Sequence, residues 1–172
     1  NVRLVDCVGY VIEGASGYQD DSGIRLVKTP WYNESIPFDQ AAKIGTKKVI
    51  QDHSTIGIVM TSDGSFLDIE ERNYHQATQD IIEELQNIGK PFIVIVNSKD
   101  PSSTTCQNVV ESYRQKHDVP VVAMDVTNML ETQVVHLLQE ALNEFGVKEV
   151  KIEVPRYIAM LSRNHWLKQT LD

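Results

Sequence analysis

Val2-Arg3-Leu4-Val5-Asp6-Cys7-Val8-Gly9 decides how this chain is read: an apolar run carries an acidic residue at its tip, and a glycine follows three positions later. The D-x-x-G spacing sets a carboxylate beside a glycine N–H at a strand end, a pairing that suits a Mg²⁺-bound phosphate. Downstream the chain alternates. Ile56 to Met60, Phe92 to Val96 and Val119 to Met124 are apolar runs of strand length. Phe38 to Gln51, Asn73 to Gly89, Cys106 to Lys116 and Glu131 to Phe145 carry apolar residues at helical spacing. With the opening strand, this predicts strands and helices in alternation with connections long enough for parallel pairing. The expected fold class is α/β, a three-layer P-loop NTPase (Ras-like) fold with a mostly parallel sheet.

Between the D-x-x-G and the first helix, residues 10–36 hold Gly14, Gly17, Gly23 and Pro30 with Tyr10, Tyr18, Trp31 and Tyr32, and show no helical period. Tyr10 to Ile12 and Ile24 to Val27 read as short extended runs around an inserted hairpin or ordered loop, a candidate lid. After Gly146, residues 147–154 alternate apolar and charged in period two, which predicts a half-exposed strand followed by a docking helix over 155–172. The domain boundary is placed there, with 1–146 as the nucleotide domain and 147–172 as the start of a following middle domain.

A net charge of −8 argues against a nucleic-acid surface, which needs clustered Lys and Arg, and against direct attachment to an anionic membrane. Cys7 and Cys106 form neither a C-x-x-C pair nor a disulfide framework and fit a reducing cytosol. The five histidines, at 53, 75, 117, 136 and 165, share no ligand-like spacing, so no zinc site is expected. No run has the length of a membrane span, and the first residues lack signal-peptide grammar.

In open parallel sheets ligands lie at the carboxyl ends of the strands, so those residues carry the functional reading. Asp6 and Gly9 match the D-x-x-G of P-loop GTPases and ATPases, whose carboxylate helps hold Mg²⁺ and whose glycine N–H faces the γ-phosphate. Asp63-Gly64 with Ser62 reads as a turn, and Met124-Asp125-Val126 is a further strand end. Asn97-Ser98-Lys99-Asp100 is close to N-K-x-D, in which the asparagine ties neighbouring loops together and the aspartate accepts two hydrogen bonds from guanine. Asp100 leans toward guanine; Ser98, lacking the aliphatic stem that covers the base, leans away from a typical GTPase. No G-x-x-x-x-G-K-[ST] occurs, and Gly45-Thr46-Lys47-Lys48, the nearest lookalike, reads as a solvated helix face. The first strand and phosphate loop are therefore expected upstream of Asn1.

Val2 to Tyr10, Thr29 to Tyr32, Ile36 to Phe38, Ala41 to Gln51, His53 to Gly57, Gly89 to Ile93 and Asn164 to Leu167 together resemble the stage IV sporulation protein A family over essentially the whole chain. The resemblance implies an ATPase with ATP and Mg²⁺ as cofactors, whose hydrolysis drives self-assembly into the basement layer of the spore coat. It implies a cytoplasmic location in the mother cell at the forespore surface. The implied partners are the protein itself as a polymer, a small amphipathic membrane-associated sporulation protein and other coat proteins, with no nucleic acid and only indirect membrane contact. Carried over by residue, only Asp6 matches a functional position of the family, the acidic Walker B-type residue, catalytic and metal-associated, with Gly9 as its D-x-x-G partner; Asn97 and Asp100 are base-side binding positions on the N-K-x-D reading alone, and Asp100 departs from a family whose base-reading motif is degenerate. The phosphate-binding lysine and the hydrolysis threonine would precede Asn1, so these residues alone are expected to be inactive. Two other readings stand beside this one: a structural assembly module with a vestigial nucleotide site, and a conventional GTPase favoured by Asp100.

Overall fold

The computed structural model describes residues 3–20, 23–145, 160–162 and 165–166. Two small antiparallel pairs come first, β1 (Gln19–Asp20) with β2 (Gly23–Ile24), and β3 (Leu26–Val27) with β4 (Ile36–Pro37). α1 (Phe38–Lys48) runs into a π-helical turn, Val49–His53. The order continues with β5 (Gly57–Ser62), α2 (Arg72–Ile88), β6 (Phe92–Asn97), α3 (Thr104–His117), β7 (Val121–Met124), a 3₁₀ turn at Val126–Asn128, and α4 (Glu131–Asn143).

β5, β6 and β7 form a parallel sheet in that order. β6 is central and apolar along its length because both of its faces are covered. Phe92, Val94 and Val96 pack with Ile82 and Leu85 of α2 and with Val109, Val110 and Tyr113 of α3. Ile93 and Ile95 point the other way, onto Leu137 and Ala141 of α4. These two faces make the three layers. Gly57 allows the close approach of α2 to the sheet: a Cβ there would lie 3.0 Å from both Leu85 Cδ2 and Phe92 Cβ.

Helix ends follow local chemistry. α2 stops at Gly89, which takes φ 71°. α3 starts at Ser103, whose hydroxyl accepts the Cys106 N–H at 3.2 Å. The inserted segment is anchored to its surroundings, since the Phe38 N–H donates to Arg25 O at 2.8 Å and the Arg25 guanidinium to Gly17 O at 2.8 Å. Trp31 lies against α1, where a Cβ on Gly45 would sit 3.5 Å from its ring.

The opening stretch departs from expectation. Residues 3–12 form no strand, and Leu4 and Val8 are 81% and 68% exposed. An extended segment stays a strand only when a neighbour takes its backbone N–H and C=O groups, and this one pairs with none of the described strands. The parallel sheet among the described residues therefore has three strands rather than four, and β5 is its edge. On the α4 face of β5, Ile58 and Met60 stay 39% and 52% exposed. The expected strand over 147–154, the boundary at 146 and most of the helix over 155–172 lie outside the described residues.

Candidate functional site

The register of the sheet brings its carboxyl ends together. Ser62 pairs with Asn97, and Asn97 pairs with Met124, so the loops that follow emerge side by side. Asn97 fastens them. Its Oδ1 accepts the Val126 N–H at 3.0 Å, and its carbonyl accepts the Ser62 hydroxyl at 3.2 Å and the Asp63 N–H at 3.4 Å. The side chain thus holds the loop after β7, and the backbone carbonyl holds the end of β5.

Ser98 points inward. It is fully buried; its hydroxyl donates to Asp63 Oδ2 at 2.5 Å and accepts the Asp100 N–H at 3.2 Å. Lys99 supplies an aliphatic stem nearby, but its ammonium lies 5.6 Å from the Phe66 ring centre, while its N–H donates to Ser65 Oγ at 2.9 Å. Asp100 is exposed at the lip of this cluster.

Asp63 does more than form a turn. Burial pushes its carboxyl upward, yet hydrogen bonds from Ser65 and Ser98 outweigh this and hold it below the usual carboxylate value. It is therefore charged at neutral pH and braces the β5 and β6 loops against each other. The Asp-Gly pair right after a strand was the signal available for it. Gly64 is required beside it, with φ 83° and a would-be Cβ only 3.0 Å from the Glu71 N. Asp125 closes the third loop, its carboxyl lowered by hydrogen bonds from Thr127 and Asn128. Cys106 lies buried next to this cluster, and burial raises its thiol pKa, which favours the protonated form.

The D-x-x-G stands apart. Asp6 is exposed and accepts the Cys7 N–H at 2.8 Å. Gly9, with φ 78°, donates its N–H to the Thr46 hydroxyl of α1 at 3.1 Å. Among the described residues no hydrogen bond or ion pair links Asp6 or Gly9 to Asn97 or Asp100. The structure brings Asn97 and Asp100 together, while Gly9 is bonded to Thr46 of α1 and the Asp6 carboxylate is exposed beside its own Cys7 N–H.

Gly45-Thr46-Lys47-Lys48 is only half a solvated face. Thr46 is 2% exposed, whereas Lys47 pairs with Glu84 at 2.7 Å and Lys48 stands 5.7 Å from the Trp31 ring centre. A groove of about 360 Å³ between α1 and α2 is lined by Tyr10, Lys43, Lys47, Asp80 and Glu84. Lys43 pairs with Asp80 at 3.3 Å there, so its two cations are neutralised within the groove and leave no open anion site.

For a divalent metal, the described residues contain no cluster of His, Cys, Asp or Glu able to enclose one. Mg²⁺ is commonly held by one or two carboxylates together with phosphate oxygens and water. A single exposed carboxylate at Asp6 fits that mode. Among the described residues, no helix is long and apolar enough to cross a membrane.

A family profile described as "Stage IV sporulation protein A, ATPase domain" matches residues 1–146. The chain is 49% identical over 170 residues to stage IV sporulation protein A of Bacillus subtilis (strain 168), covering 99% of this chain and 35% of that protein. It is 48% identical to the Bacillus anthracis protein of the same name and 42% identical to that of Clostridioides difficile (strain 630), with the same coverage. The chain thus spans about a third of the length of these relatives (35%). No solved structure matches it. The match over 1–146 and the relatives along the whole chain agree: the chain belongs to the stage IV sporulation protein A family, with residues 1–146 matching its ATPase domain.

Proposed function

We propose that this chain is the base-binding and metal-side part of an ATP-hydrolysing domain whose turnover drives self-assembly of a spore-coat basement layer. The observation that carries the nucleotide reading is the Asn97 clamp, which holds the three strand-end loops as one unit with Asp100 at its lip. Asn97 and Asp100 serve the base, and Asp6 serves the metal with Gly9 beside it. Bound Mg²⁺ supplies charge neutralisation at the phosphates. The chain's own part is positional: Asn97 and Ser98 fix the loop that presents Asp100, and Thr46 holds the Gly9 backbone.

The remaining strand and the phosphate loop come from upstream of Asn1 in this reading. Supporting it, β5 has an unpaired edge among the described residues, and Ile58 and Met60 are exposed on its α4 face, which suits one more strand and a covering helix. The layer forms at the forespore surface in the mother cell, through contacts of the protein with itself, with a small amphipathic membrane-associated protein and with other coat proteins.

The test is Mg²⁺-dependent hydrolysis of ATP and GTP by the full-length protein, with Asp6→Ala beside it. ATP turnover that falls about a hundredfold or more in the variant, the scale of lost metal-assisted charge stabilisation, supports the reading. Unchanged turnover removes Asp6 from the mechanism. Absence of turnover with both nucleotides returns the chain to a structural assembly module.

A further inference from the structure

Apart from Asp100, the carboxylates at the ends of the parallel strands have both oxygens engaged by these loops. Asp63 has Oδ1 bonded by the Ser65 N–H and Oδ2 by the Ser98 hydroxyl. Asp125 has Oδ1 bonded by the N–H and hydroxyl of Thr127, and Oδ2 by the Asn128 amide. Asp100 differs. Its Oδ1 accepts the Ser102 N–H at 3.1 Å and the Ser102 hydroxyl at 2.6 Å, while no hydrogen bond among the described residues reaches Oδ2. An ionised carboxylate offers about two acceptor sites per oxygen, so Oδ1 is filled.

The turn that presents Asp100 is also fixed. Ser103 N–H donates to Asp100 O at 3.0 Å, Ser98 Oγ accepts the Asp100 N–H, and Pro101 has a restricted φ. The Oδ1 oxygen cannot turn outward without breaking both bonds to Ser102.

Guanine presents two adjacent donors, N1–H and the 2-amino group, which a carboxylate satisfies with both oxygens. Adenine presents one, its 6-amino group. We propose that Ser102 sets the base preference of this site: by occupying Oδ1 it leaves Asp100 a single acceptor, suited to a 6-aminopurine nucleotide and unable to pair with both donors of guanine. Ser102 is a positioning residue, acting through Asp100. The inference rests on the nucleotide-site reading above, and it reverses the lean toward guanine that Asp100 gives as a bare residue type.

The experiment is equilibrium binding of ATP, GTP and inosine triphosphate to the full-length protein, by competition against a fluorescent ATP analogue. The parent prefers ATP. Ser102→Ala, at an exposed position, tightens GTP about tenfold, the scale of one regained hydrogen bond to a charged group. Inosine triphosphate, which lacks the 2-amino donor, gains less, and ATP changes little. Ser102→Thr keeps the hydroxyl and keeps the parent ratio. Asp100→Ala weakens ATP and erases the preference. A Ser102→Ala variant with parent-like melting and an unchanged ATP-to-GTP ratio overturns the role of Ser102 alone, as does a preference that survives Asp100→Ala. A parent that binds none of the nucleotides overturns the site reading along with it.

Discussion

The Gly9 N–H donates to the Thr46 hydroxyl at 3.1 Å, joining residues 37 positions apart and seating the D-x-x-G turn on α1. Thr46 is 2% exposed, so its hydroxyl gives a buried polar site on the helix a partner. It also places the glycine amide, the group read as facing a terminal phosphate, against a helix of its own chain.

Thr46→Val keeps the shape and removes the acceptor. The expected loss of stability is about 0.5–1.5 kcal/mol, the net worth of one hydrogen bond whose donor is partly open to water. Exchange of the Gly9 amide with solvent should speed up about tenfold, while amides of β6 stay as protected as in the parent. Equal acceleration at both places would mean that Thr46 supports the fold generally and does not hold the turn.

The Asp63–Ser98 bond should be visible as a pH effect. Asp63 sits below its ordinary value of about 3.9 in the folded chain. A depressed carboxylate stabilises the fold above its unfolded pKa and loses that contribution as pH falls through the folded value. Ser98→Ala removes one of the bonds that lower it and leaves Oδ2 without its donor. The variant should lose about 1–3 kcal/mol at pH 7, and the gap from the parent should narrow below about pH 4 as Asp63 becomes protonated in both. Denaturant midpoints at pH 7 and pH 3 measure it. A gap independent of pH would assign the loss to packing at position 98.

What the sequence makes legible here is periodicity and strand-end chemistry. The run from Phe92 to Val96 announces a strand covered on both faces, and it is found as read; after it, the Asn97 side chain bonds the Val126 N–H and Asp100 is exposed. The opening strand fails because a strand needs a neighbour, and no local pattern says whether one is at hand. Thr46, read on a solvated face, is buried, and Asp63 takes a role beyond the turn read for it, for a related reason. Their roles depend on partners 37 and 35 positions away, Gly9 and Ser98, and such non-local bonds leave no mark in spacing. Ser98 itself reads as a missing lysine, yet its small hydroxyl is what lets the chain bury that position and bond both Asp63 and Asp100.

His117 provides the last prediction. Its ring stacks on Tyr113 with centroids 6.2 Å apart, and its Nε2 is buried with no hydrogen-bond partner among the described residues. Burial, with Lys116 nearby, lowers its pKa below the ordinary value, and Glu83 only partly opposes this. A histidine depressed in the folded state is protonated more readily in the unfolded chain, so the stability present above about pH 6.5 declines as pH falls toward the folded value. His117→Phe keeps a ring on Tyr113 and removes the titration. Its unfolding midpoint should therefore vary less than the parent's between about pH 6.5 and pH 5, even if its stability at pH 7.5 differs. Matching slopes in parent and variant across that window would show that other groups govern the acid response.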